Sequence, residues 1–200
     1  MQKNYNAFVK WIAISAVFVF VGIFLIFRVG NEEYTLDTFF GDIGFTTGIV
    51  GFFATAFNFW LWRLPFIGRC AHTPDLRGLW KGKGRGESER NNEEYNMTLK
   101  IRQTYLETHI HAYFDKSQSD SFSSVFIYND TIDRTCLVYS YQNDPKLIYR
   151  NKAEKGEEGG LNIHYGTTKL DIDFEDLHHL TGSYWNDREC VGTIELTKEG

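Results

Sequence analysis

Cysteine, proline and positive charge are all scarce in this 200-residue chain. Only three cysteines occur, Cys70, Cys136 and Cys190, and no two form a CxxC pair. An odd, unpatterned set excludes a disulfide framework and gives no zinc-ribbon spacing. Reduced thiols used as small apolar fillers are the expectation, with Cys136 and Cys190 inside strands. The formal net charge of -5 argues against a nucleic-acid polymer as partner, because binding a long phosphate backbone draws on many Lys and Arg contacts. A small anionic ligand needs only two or three local cations and stays open.

Catalytic signatures are also missing. No GxSxG elbow occurs, and the serines of SDSFSS read as turn and strand-edge residues. GKGRGE lacks the Lys-Ser/Thr of a phosphate-binding loop. His109 and His111 form a candidate chelating pair, but alternation puts both on an outer face, with no Cys or carboxylate at a recognised ligand spacing. The expectation is no enzyme, no metal and no cofactor.

Long uncharged runs are what the sequence does have. Trp11–Phe27 carries no charge and covers about 25 Å as a helix at 1.5 Å per residue. Ile43–Trp62 covers about 30 Å. Spans over about 9–29 and 42–63 follow, inside a membrane region of residues 1–69. Gly44, Gly48 and Gly51 recur on nearby turns of the second span, a spacing that lets helices pack closely in lipid. Trp11, Trp60 and Trp62 read as interfacial anchors. A cleavable signal peptide is rejected, because no small-x-small site follows the first run and a second span does. Lys3 and Lys10 precede the first span, and Arg63, Arg69 and Arg77 follow the second. The connecting GNEEYTLDTFFGD is acidic, so the positive-inside rule puts both termini in the cytoplasm.

From residue 74 to 200 the apolar period changes to two. Tyr95, Met97, Leu99 and Ile101 alternate with polar residues, and so do Leu106 through Phe114. The pattern continues in Phe122, Ser124, Phe126 and Tyr128, then in Leu137, Tyr139 and Tyr141, then in Leu161, Ile163 and Tyr165. Gly182 and Tyr184 lead through a turn at Asn186-Asp187 to Cys190, Gly192, Ile194 and Leu196. Turn-rich segments such as DKSQSD, NDTIDR and KGEEGG separate these stretches. About eight half-buried antiparallel strands result, with one weak helical stretch near 174–179. The fold class is two N-terminal transmembrane helices followed by an all-β domain. A small up-and-down barrel of a size to hold one ligand fits, and a two-layer sandwich fits nearly as well.

The first strand, LRGLWKGKGRGE, places Gly78, Trp80, Gly82, Gly84 and Gly86 on one face. A row of strand glycines marks tight bending or close approach by something else. Trp80 then either plugs one end of the core or walls a hollow where a flat anion stacks. Tyr and Arg residues accumulate later, in Tyr139, Tyr141, Tyr149, Arg150, Tyr165, Tyr184, Trp185 and Arg188. Rings and guanidinium planes stack on nucleobases, and Arg forks match phosphate oxygens.

The two spans, the PDLRGLW opening, the HYGTTKL segment and the closing LTGSYWNDRECVGTIEL together resemble one family. It is the two-transmembrane, β-strand-rich effectors of the bacterial anti-phage systems that signal with cyclic oligonucleotides, known as CBASS. The resemblance implies a cytoplasmic minimal barrel that senses a cyclic dinucleotide made by a partner nucleotidyltransferase. It further implies homo-oligomerisation on activation and disruption of the inner-membrane bilayer, killing the infected cell. Gly78, Trp80, His164, Gly166, Thr167, Tyr184, Trp185 and Arg188 lie in the matched segments. Together with the aromatic and arginine set, they give Arg188, Tyr184, Trp80, Arg150, Tyr141, His164 and Thr167 as candidate ligand-binding residues. Arg188 leads, because it follows a turn and so belongs at a barrel mouth. Its alternative is a solvent-exposed pair with Asp187 or Glu189. A membrane-tethered, lipocalin-like carrier of an apolar ligand is the rival function.

Overall fold

The structure is a computed structural model, and it describes residues 2–27, 29, 35–64, 73–87, 92–129 and 134–200. Cys70, Arg69 and the NDTIDR tip at 130–133 lie outside them. The chain divides into two compact units, residues 1–73 with 104–106, and residues 74–103 with 107–200.

The first unit holds α1 (Gln2–Phe27) and α2 (Leu36–Phe59), followed by a 3-10 turn at Leu61–Arg63. Phe8–Phe27 and Leu36–Phe59 are long and apolar enough to cross a membrane. The second helix starts earlier than the charge pattern suggested, inside the acidic connection. Thr35 accepts a hydrogen bond from the Thr38 backbone amide, and the Thr38 side chain answers at the Thr35 amide. That capping box nucleates the helix, and Asp37 in its first turn complements the helix dipole. The helix also ends at Phe59, before the tryptophans. Trp60 is exposed, whereas Trp62 is buried.

The second unit is a closed antiparallel barrel in which eight strands pair in sequence order. They are β1 (Gly78–Gly86), β2 (Glu94–Gln103), β3 (Thr108–Phe114), β4 (Ser117–Asn129), β5 (Arg134–Pro145), β6 (His164–Ile172), β7 (His179–Asn186) and β8 (Val191–Lys198). β8 closes on β1, with Gly82 opposite Leu196 and Gly84 opposite Ile194. Closure removes the unpaired edges that a sandwich of this size would expose. One short helix, α3 (Leu147–Glu154), joins β5 to β6, while residues 174–179 form turns and the start of β7 rather than a helix.

The burial pattern departs from the sequence reading in several strands. A bulge between Ser121 and Ser123 adds a residue to β4. Ser119 is buried before the bulge, while Ser124, Val125, Phe126 and Tyr128 are half-buried after it. Phe122 is therefore not in the core but 66% exposed, because a one-residue insertion exchanges the faces. Across the β3–β4 gap, the Ser121 hydroxyl accepts from the Ile110 amide at 2.9 Å and Ser124 donates to the Thr108 carbonyl at 2.6 Å. These serines replace ladder bonds. In β6 the inward set is His164, Gly166, Thr168 and Leu170, so Tyr165 faces out and Leu161 and Ile163 precede the strand. Cys136 is in β5, but Cys190 ends the β7–β8 turn. Both are buried free thiols, and burial raises the Cys136 pKa.

The barrel interior has two halves. Around Trp80, Leu99, Leu137, Leu170 and Leu180 it is solidly apolar, and all five side chains are buried. That end is shut by residues 74–76. The Trp80 Nε1–H donates to the Leu76 carbonyl at 2.8 Å, Gln103 donates to the Pro74 carbonyl and accepts from the Leu76 amide, and the Lys198 ammonium lies 5.3 Å from the Trp80 ring centroid. The other half is hollow.

Candidate ligand cavity

The hollow half encloses about 450 Å³, within the usual range for small-molecule sites. Its aromatic walls are Tyr95 from β2, Phe114 from β3, Tyr139 and Tyr141 from β5, and Tyr184 from β7. Tyr95 meets Phe114 edge-on at 5.8 Å between centroids and Tyr184 at 6.4 Å; Tyr139 and Tyr141 are 6.2 Å apart.

Three of these rings lie opposite glycines. Tyr95 pairs with Gly84, Tyr141 with Gly166, and Tyr184 with Gly192. A Cβ at Gly84 would sit 2.5 Å from the Tyr95 hydroxyl, one at Gly166 2.5 Å from Tyr141 Cζ, and one at Gly192 2.6 Å from the Tyr184 ring. The close approach that the glycine row in β1 announced is thus, at Gly84, a tyrosine ring laid over backbone and, at Gly82, the Glu195 carbonyl of β8. Glycine across the strand lets each ring lie against the wall instead of filling the space, and the cavity stays open.

Between the rings the wall combines apolar Met97, Ala112 and Ile194 with uncharged polar side chains. Asn143, Ser119 and Thr168 are all buried, and the Asn143 amide donates to Ser117 Oγ at 3.1 Å. Burial pushes the Tyr139 hydroxyl up to about 12, although a hydrogen bond with Thr168 acts against it. Burial also raises Tyr95, aided by its bond to Tyr184, and raises Tyr141. All stay neutral donors at neutral pH. Among the described residues, charged lining side chains occur only at strand ends and turns: Glu93, Glu94, Asp115 and Lys116. His164 is held below its ordinary value, first by burial and also by the positive charge of Arg188, against the pull of its Asn162 carbonyl contact at 3.3 Å. It is therefore a neutral imidazole at the mouth.

The seven candidate residues separate on this geometry. Tyr141, Tyr184 and His164 line the cavity. Arg188 sits in the exposed β7–β8 turn near enough to His164 to weigh on its charge, and its guanidinium forms no ion pair with any described residue. Asn186 fixes that turn, its Oδ1 accepting from the Arg188 and Cys190 amides at 3.1 Å each. Trp80 is at the packed end, away from the hollow. Thr167 is on the outer face, bonded to Ser140 at 3.1 Å, and its neighbour Thr168 faces in. Arg150 is on α3, paired with Asp144. Tyr95, Tyr139, Asn143 and Asn186 belong to the wall although the sequence did not single them out as a site. For Tyr95 and Asn186 the usable signal was inward parity combined with a glycine across the ladder, Gly84 and Gly166, whereas Tyr139 and Asn143 face Thr168 and His164 and are marked by parity alone.

Residues 71–198 match the protein family described as Cap15, cyclic dinucleotide receptor domain. The chain is also 34% identical over 140 residues to a protein of Yersinia aleksiciae named CD-NTase-associated protein 15. That alignment covers 69% of this chain and 62% of the relative, so the chain spans less than two thirds of the length of the curated protein it matches.

Proposed function

The chain belongs to the family of Cap15 cyclic dinucleotide receptor domains, and from that premise we propose that its barrel binds a cyclic dinucleotide in the tyrosine-walled cavity and acts as a non-enzymatic CBASS effector. The observation that carries this reading is the wall chemistry: stacking faces and uncharged hydrogen-bonding groups inside, with the charged side chains among the described residues at the mouth. Aromatic stacking and base-edge hydrogen bonds hold a nucleobase in such a setting. An acyl chain would leave the buried Asn143, Ser119 and Thr168 without use, which disfavours a lipocalin-like carrier.

Residues 1–69 anchor the chain and residues 74–200 sense. Both termini lie in the cytoplasm, by the positive-inside argument; a reporter fused after Gly200 is active inside the cell in this reading, and activity only outside would reverse it. A partner nucleotidyltransferase supplies the ligand. Occupancy favours self-association, and association disrupts the inner membrane. Support for the association step comes from α2. Its buried positions are Asp42, Thr46 and Val50, while Gly41, Gly44 and Gly48 line an open shallow groove with Phe45, Ile49 and Phe52. A Cβ at Gly44, Gly48 or Gly51 would meet nothing within 4 Å. Such a face lets a helix of a second copy approach closely in lipid.

The test is thermal melting of the full chain in detergent against a panel of cyclic dinucleotides and fatty acids. A ligand bound only by the folded state adds about 2.7 kcal/mol at a hundredfold excess over Kd. Stabilisation by a cyclic dinucleotide supports the reading; stabilisation by fatty acids alone would replace it with the carrier.

A further inference from the structure

We propose that the barrel admits one nucleobase of its ligand and keeps the phosphates and the second base outside, at the mouth. This rests on the reading that the ligand is a cyclic dinucleotide.

Size is the first argument. The cavity of about 450 Å³ lies low in the roughly 300–1,000 Å³ range of sites for drug-sized ligands, and a cyclic dinucleotide is larger than such a ligand. One base with part of its sugar fills the hollow. Two bases, two sugars and two phosphates do not.

Charge by depth is the second. The interior wall carries no Lys or Arg among the described residues, and phosphate stripped of water there would face a large desolvation penalty with no counter-charge. The mouth is also uneven. Glu93, Glu94, Asp115 and Lys116 lie on the β1–β2 and β3–β4 side, and Glu94 already engages Lys83 at 2.6 Å. Arg188 and His164 lie on the β6 and β7–β8 side. On the second side Arg188, in the exposed β7–β8 turn, offers a phosphate a cation outside the hollow. The ligand therefore enters base-first past His164, with its backbone across the mouth near Arg188.

The wall fits a neutral hydrogen-bonding ring. Asn143, bonded to Ser117, and Thr168 are buried polar groups set between tyrosine faces. The protruding half of the ligand becomes part of the barrel's outer surface. Occupancy then changes what a second chain meets, without any movement of the closed barrel.

The experiment is isothermal titration of the full chain in lipid nanodiscs. Cyclic dinucleotides carrying A, G, C and U are titrated first, and then the nucleoside 5′-monophosphates of the bases in whichever one binds. The expected result is one mononucleotide per chain, competing with the cyclic dinucleotide at roughly 10- to 1,000-fold weaker affinity. Two mononucleotides per chain would overturn the proposal, and so would none at millimolar concentration while the cyclic dinucleotide binds. Ser119→Phe fills the hollow and abolishes mononucleotide binding; if that variant does not fold, Asn143→Leu lowers the affinity at least tenfold. Wild-type mononucleotide affinity in the folded variant would also overturn it. If no cyclic dinucleotide binds, the parent reading falls and takes this proposal with it.

Discussion

Gly166→Ala tests the link between glycine, tyrosine and cavity. Gly166 faces Tyr141 across the β5–β6 ladder. Its new Cβ would lie 2.5 Å from Tyr141 Cζ and 2.8 Å from the Trp185 carbonyl oxygen. The carbonyl belongs to the β6–β7 ladder of a closed barrel and moves little, so the ring has to leave the wall and swing into the cavity. Two losses follow. Overpacking of this kind costs about 1–3 kcal/mol of stability, seen as a drop of several degrees in Tm. Losing one stacking face costs about 1–3 kcal/mol of ligand affinity. A cycle with Tyr141→Ala separates the causes. If the ring is the obstacle, Gly166→Ala in the Tyr141→Ala background lowers Tm much less than it does in the wild type, leaving only the carbonyl contact. Differential scanning fluorimetry and titration of the tightest-binding cyclic dinucleotide read both effects. A Gly166→Ala chain with wild-type Tm and wild-type affinity would refute the claim that glycine holds the wall open.

Arg188→Ala is expected to weaken cyclic-dinucleotide binding by about 1.5–3 kcal/mol, the loss typical of a hydrogen bond to a charged group, with little change in the unliganded Tm because the residue is exposed. Arg188→Lys restores binding only in part, lacking the planar fork; unchanged affinity in Arg188→Ala, measured by titration, would end its assignment to phosphate. For His164, the native pKa is depressed below the ordinary histidine value of about 6.5, so the unfolded chain binds more protons between that lowered pKa and about 6.5. Its contribution is therefore present above pH 6.5 and lost as pH falls through the native pKa. His164→Gln should show a smaller Tm decrease than wild type between pH 7.5 and 5.5, and an equal decrease would contradict the burial argument. Replacing Gly48 and Gly51 with Leu closes the open face of α2, and should abolish membrane permeabilisation while leaving ligand affinity intact; undiminished dye release from that double variant would exclude helix association as the output.

Much of this architecture was legible because membrane and barrel impose strong patterns. Lipid excludes charge, so Trp11–Phe27 announces a helix, and a pleated wall alternates, so Tyr95 to Ile101 announces a strand. What stayed hidden depends on parity and on distant partners. The β4 bulge leaves the Phe122, Ser124, Phe126 pattern looking continuous, yet it puts Phe122 in solvent. In β6 the inward residues include Gly166 and Thr168, so hydrophobicity favoured Ile163 and Tyr165, the wrong face. The helix at Leu147–Glu154 buries none of its residues and so shows no apolar stripe. Which aromatic walls the hollow was also not local information. Trp80 and Tyr95 both point inward, and only the closure of one end by Leu76, Gln103 and Lys198 separates them.

The central claim is that a nucleotide in the cavity drives the change at the membrane. It is tested most directly by reconstituting the full chain into dye-loaded vesicles and following release as a cyclic dinucleotide is titrated. We expect no release without ligand, release that tracks the binding isotherm, and a shift of both to roughly 5- to 150-fold higher ligand concentration in Tyr141→Ala. Release without ligand, or release in Tyr141→Ala at ligand concentrations where nothing is bound, would contradict it.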